Sequence, residues 1–161
     1  MSIQKINIWI VAVVALLVVA CNSNDDDSLT IDDIPAEIRT DFETRHPAAE
    51  NAEWEQEGDF WEAEFTENGV EVSIIYDLNL VWVRTEREID VAALPAAVVT
   101  YVNDNFGGST IAEAEAFESR DEGNGFIAEV DADGREFEVY FDENGSFLRQ
   151  EEEVEDEDDD D

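Results

Sequence analysis

A chain with 44 Asp plus Glu, one His and one Cys has few ways to do chemistry. His46 is the sole imidazole. No nucleophile accompanies it in a recognisable motif, so its expected role is structural or solvent-facing rather than catalytic. Zinc is disfavoured by the same scarcity of His and Cys. Paired carboxylates could hydrolyse glycosides, but among 44 acids such pairs arise by chance. Asp131-x-Asp133-Gly134 opens like a calcium loop. An EF-hand, however, needs a third ligand before the Gly and a Glu six residues after it, where Tyr140 stands, so a hairpin turn is expected instead. The block from Glu151 to Asp161 is acidic at 10 of its 11 positions, and its end (Asp158, Asp159, Asp160, Asp161) can gather divalent cations weakly without forming a cage. No catalytic residue and no cofactor are expected. The remaining candidates are apolar. Trp54, Trp61 and Trp82, with Val81 and Val83, form a candidate binding surface. Residues 78–83 are apolar on both parities, so one face needs a cover other than the first helix, either the second half of the chain or a partner.

Composition narrows the partners. The formal charge is −36, which repels nucleic acid and anionic membrane surfaces. Hydrophobic residues make up 43 % of the chain and aromatics 10 %, enough to build a core and too many for a wholly disordered chain. A single Cys excludes an internal disulfide. That Cys has a telling position. Lys5 is followed by an unbroken apolar run from Ile8 to Ala20, short for a spanning helix, and then at once by Cys21. Val18-Val19-Ala20-Cys21 resembles a bacterial lipobox, so residues 1–20 are expected to be a lipoprotein signal peptide, with Cys21 the lipidated first residue of the mature protein. A multiply acylated Cys would hold the chain firmly to a membrane. Residues 21–33 read as an acidic tether and 151–161 as a disordered acidic tail. The expected location is the cell envelope of a Gram-negative bacterium, on the outer membrane, facing either the periplasm or the surface.

Between these ends one unit is written twice. Ile34-Pro35-Ala36 recurs as Leu94-Pro95-Ala96, and Ile38 and Phe42 fall on Val98 and Val102, all at an offset of 60. Further on the offset is 65. Trp61, Ala63 and Phe65 match Phe126, Ala128 and Val130; Asn68-Gly69 matches Asp133-Gly134; Arg84 and Glu86 match Arg149 and Glu151. The change marks a five-residue insertion between Ser119 and Gly125. Each unit, 34–90 and 91–150, opens on a helix whose apolar residues recur at i, i+4 and i+8, with Pro35 or Pro95 in its first turn. Pro47 and Gly107-Gly108 stop the two helices. Alternation such as Trp61/Ala63/Phe65 against Glu62/Glu64 then marks strands with one wet face. Asn-Gly and Asp-Gly favour tight type I′ hairpins. The expected fold is α+β: two tandem helix-plus-four-strand units forming a largely antiparallel sheet with helices on one face.

Leu94-Pro95-Ala96-x-Val98, followed by Asp133-Gly134-x-Glu136-x-x-Val139-x-Phe141-Asp142-x-x-Gly145, resembles the PepSY-like, β-lactamase-inhibitor-like domain. The first unit matches more loosely, with Leu80 where the pattern has Gly145. The resemblance implies a non-enzymatic, inhibitor-like module whose concave sheet clasps a protein or peptide, with no family catalytic residues to carry over. The alternative is an acidic, calcium-buffering surface protein.

Overall fold

The computed structural model describes residues 29, 31, 33–132 and 134–152. The expected signal peptide, Cys21, most of the tether, Asp133 and the acidic residues from 153 onward lie outside the described residues.

The first helix, α1 (Ala36–Arg45), leads into β1 (Ala49–Glu57), β2 (Phe60–Glu67), β3 (Val70–Asp77) and β4 (Trp82–Glu88). A 3-10 turn (Val91–Ala93) then leads to α2 (Ala96–Asn105), β5 (Ile111–Ser119), β6 (Gly123–Ala132), β7 (Arg135–Asp142) and β8 (Phe147–Glu152). The architecture is α+β. All eight strands form one antiparallel sheet in sequence order. Two details differ from expectation. Pro35 and Pro95 occupy the cap positions just before each helix, with extended ψ, rather than the first turn. Glu151 and Glu152 close β8 instead of beginning the tail, because their backbones complete the ladder to Glu138 and Phe137.

Each helix buries two residues, one turn apart: Ile38 and Phe42 in α1, Val98 and Val102 in α2. Around α1 gather Ala63, Phe65, Val72, Ile74 and Tyr76; around α2 gather Ala128, Val130, Phe137, Val139 and Phe141. Following residues that stand opposite each other through the ladders, Ile74 faces the same side as Thr85, Arg87 the same side as Ala116, and Ala116 the same side as Phe126. Both helices therefore cover one face of the continuous sheet. No helix packs on the other face among the described residues.

The turns follow the local rules. Asn68 and Gly69 both adopt positive φ, as a type I′ hairpin needs. At the β3–β4 turn Leu80 is forced to φ 65, where Gly145 holds φ 77 at the matching position of the β7–β8 turn.

The five-residue insertion has a structural task. In the first hairpin Glu57 pairs with Phe60 across two residues, whereas in the second Phe117 pairs with Gly125 across seven. The added length extends β5 so that Glu118 and Ser119 pair with Thr85 and Arg84 of β4. Arg120 at its tip donates its backbone N–H to the Val83 carbonyl (2.9 Å) and approaches Asp77 at 3.4 Å. The insertion thus helps weld the two halves into one sheet.

Candidate functional site on the open sheet face

The residues between core positions point to the face opposite the helices. At its centre lie Arg84 and Glu86 of β4, each only 2 % exposed. Arg84 Nε stands 2.7 Å from Glu86 Oε1, an ion pair on one strand. The contact is short but not aligned as a hydrogen bond; Arg84 Nε and Nη2 and Glu86 Oε1 are buried without a hydrogen-bond partner among the described residues, and the ion pair is what holds them. Leaving such groups unmade is costly, of order 1–3 kcal/mol each.

The burial is unexpected on a face with no covering layer, and curvature explains it. The Arg84 guanidinium carbon lies 5.2 Å from the centre of the Tyr140 ring, on β7. In a flat sheet β4 and β7 would be about 14 Å apart, three strand spacings, so the sheet must curl to let these side chains converge. Arg149 of β8 covers the same ring at 3.3 Å. The Tyr140 hydroxyl donates to Glu138 Oε2 at 2.6 Å. Beneath them Phe117, Ile127 and Tyr140 make a small third apolar cluster. Gly125 permits it: a Cβ there would stand 2.5 Å from Phe117 Cζ and 2.1 Å from the Phe141 carbonyl oxygen.

Carboxylates surround this cluster. Glu62 accepts a hydrogen bond from Ser73 Oγ, yet burial pushes its carboxyl up to about 8. Burial, followed by Glu86 and Glu138, pushes Glu115 up to about 9. Glu129 rises to about 7 through burial and then Glu113 and Glu136. Glu86 is raised by burial, against the pull of Arg84 and Arg149. Six carboxylate pairs stand directly opposite each other in the ladders: Glu53–Glu64, Glu55–Glu62, Glu88–Glu115, Glu129–Glu138, Asp131–Glu136 and Glu138–Glu151. All six lie on the open face. Of the seven arginines only Arg84 and Arg149 share it. Among the described residues no group of three His, Cys, Asp or Glu is placed to hold a metal ion.

The residues singled out from sequence fall elsewhere. Trp54 is buried beneath α1, its ring edge-on to Phe42 at 5.1 Å. Trp61 and Trp82 are half-buried against the same core. Trp82 Nε1 donates to Thr85 Oγ1, and the Arg45 guanidinium covers its ring at 4.8 Å. Val83 is the extra residue of an irregularity in the β3–β4 ladder, and Val81, 45 % exposed, sits at the hairpin end with Leu78. The structure does not bring these five together on one surface. His46 caps α1 in an aromatic slot beside Phe42 and Phe65, with Nδ1 3.4 Å from Glu67 Oε1. Burial lowers its pKa despite the opposing pull of Glu67. Phe106 fills the matching slot beside Phe137. The central cluster left one sequence signal, the duplicated Arg-x-Glu at positions 84–86 and 149–151.

An eight-stranded antiparallel sheet with two helices on one face defines the class. The sequence profile of the family described as PepSY-like, and provisionally as beta-lactamase-inhibitor-like, matches residues 21–81 and again 59–149. The chain belongs to this family. It is similar in structure to a BLIP-like protein from Bacteroides fragilis NCTC 9343, at 25 % identity and a TM-score of 0.61, covering 77 % of this chain and 89 % of that one. A protein from Bacteroides eggerthii DSM 20697, provisionally titled periplasmic, shares the fold at 18 % identity with a TM-score of 0.63 over 73 % of this chain and 88 % of its own. None of the curated proteins matches the chain. No helix among the described residues is long and apolar enough to cross a membrane.

Proposed function

We propose that this protein is a non-enzymatic binding module of the bacterial envelope, tethered through a lipid on Cys21 and presenting the open face of its sheet to a protein or peptide. The observation that carries the reading is the open face itself, one whole face of the eight-stranded sheet that no helix among the described residues covers. The BLIP-like relative and the inhibitor-like family description support a module that acts by binding. The lipobox-like Val18-Val19-Ala20-Cys21 and the provisionally periplasmic relative support the cell envelope as its location, and lipidation at Cys21 would hold it to the outer membrane.

A photo-cross-linking residue placed at Glu136 or Thr66, on the open face, should form an adduct in intact envelopes. The same residue at Glu43, exposed on α1, should not. Equal adducts from both positions would remove the open face from consideration. Cys21→Ser should release the protein from the membrane fraction or leave its signal uncleaved. A cleaved variant that stays membrane-bound would exclude lipidation as the anchor.

A further inference from the structure

We propose that the outer edge of β8 takes up an extended segment of another protein as a further antiparallel strand, with an apolar side chain laid beside Phe147 and Leu148. This surface is distinct from the open face and goes beyond the function proposed above.

The repeat shows how such a strand is held. β4 and β8 are the same strand of the two units, and both carry a ladder irregularity at the same place, at Val83 and at Leu148, 65 positions on. On β4 the outer edge is taken by β5, where Arg120 donates its backbone N–H to the Val83 carbonyl at 2.9 Å. Outward backbone groups recur at every second residue of a strand. Val83, Thr85 and Arg87 therefore address β5, and Leu148, Gln150 and Glu152 are their counterparts on β8, the last strand of the sheet among the described residues. The side chains register the missing neighbour. Trp82 and Val83 are half-buried, whereas Phe147 and Leu148 are 41 % and 40 % exposed. The helix beside them differs in the same sense. α1 carries five charged residues among its ten, and Arg45 covers the Trp82 ring. α2 carries Asp104 alone, and Tyr101 stacks on Phe147 at 4.8 Å. An uncharged apolar strip thus runs along an open strand edge in a chain of formal charge −36, and that pairing of features suits strand addition.

Other occupants fit poorly. In a second copy β1 is the strand that matches β5, but it ends at Glu57, the counterpart of Phe117. It lacks the insertion that carries Glu118, Ser119 and Arg120 along β4, and it would set Glu57 opposite Glu151. Of the chain's own flanks, 22–28 has no apolar residue and 153–161 has Val154 alone. The edge calls for a foreign strand that reaches Leu148, carries no acid opposite Glu151, and is apolar where Arg120 stands on β4.

The test is an NMR titration of the full chain with a capped, neutral peptide of alternating Val and Thr, as long as β5. The backbone amides of Gln150 and Glu152 should shift and gain protection from exchange, and those of β1 should not. Gln150→Pro deletes one outward N–H at an edge position that Pro tolerates, so it should weaken the peptide about tenfold while a thermal melt shows the fold kept. N-methylation of the peptide at alternate residues reads the same hydrogen bonds without altering the protein: one phase should abolish binding and the other spare it. Leu148→Ser should weaken the peptide, whereas Val81→Ser, on a similarly exposed aliphatic at the β3–β4 hairpin, should leave it unchanged. Shifts shared equally by β1 and β8, equal losses from the two Ser variants, or indifference to the N-methyl phase would overturn the inference. So would self-association through β8, seen by sedimentation without peptide and lost in Gln150→Pro, because it would give the edge to a second copy.

Discussion

Arg84–Glu86 and Arg149–Glu151 are the same two residues at the same spacing, 65 positions apart, on the same face of the sheet. Their environments differ completely. Arg84 and Glu86 are sealed, because the lengthened β5 pairs along β4. Arg149 and Glu151 sit on the edge strand β8 with side chains 29 % and 25 % exposed, 3.3 Å apart. The difference is topological rather than chemical. A strand inside the sheet removes its ion pair from water, and an edge strand leaves it partly exposed, where the same attraction is weaker.

The sharpest way to break the comparison is to remove each arginine in turn. Arg84→Ala strands Glu86 in the interior and should cost about 3–5 kcal/mol in urea unfolding. Arg149→Ala should cost about 1 kcal/mol, the loss of two partly exposed ion pairs, with Glu122 and Glu151, and of its contact with the Tyr140 ring. Similar costs would mean that burial does not separate the two pairs. Next comes Gly125, at the position matched by Phe60 in the first unit. Gly125→Ala drives a methyl group into Phe117 and the Phe141 carbonyl and should cost about 1–3 kcal/mol. Phe60→Ala, on a half-buried side chain, should cost less.

Ionisation sharpens the contrast further. Glu62 takes the place of Ile127 in the repeat. Its folded carboxyl, raised by burial to about 8, keeps a proton that the unfolded chain gives up at about 4.3. Stability from this source is complete below the unfolded value and lost as pH rises through the folded one. Glu115, raised to about 9, acts in the same direction. The melting temperature should therefore fall between about pH 5 and pH 9, and Glu62→Gln should flatten that slope; an unchanged slope would assign it to other groups. The smallest effect is expected from salt. Adding NaCl should raise the melting temperature by a few degrees by screening the opposed carboxylates, and a flat response would mean that those groups are already neutral or paired.

Much of the fold was legible because it rests on local rules. The twofold repeat, the apolar helix stripes, the Asn68-Gly69 hairpin and the place of the insertion all follow from residue type and spacing. The site was less legible. Alternation marks Glu62, Glu86 and Glu138 as facing away from the core, which in most sheets means toward water. Only the curl of the sheet, and the reach of Arg84 across to Tyr140, turns that outward face into a partly buried one. The tryptophans misdirect for the opposite reason: Trp54 is an aromatic among acids in β1, and nothing local says that α1 lies over it. Leu80 shows a local rule overridden, a bulky residue held at positive φ where its counterpart is glycine, because its side chain packs on the first core.

The edge strands carry a consequence of their own. A sheet that ends in open strands is a template on which another copy can grow, and runs of such copies become fibres. Here one edge reads Ala-Glu-Asn-Ala-Glu-Trp-Glu-Gln-Glu and the other finishes Arg-Gln-Glu-Glu, so strand addition between copies would align acid against acid. The repulsion that weakens a single molecule guards a crowded population against aggregation, and no cap on either edge is required to keep the copies apart.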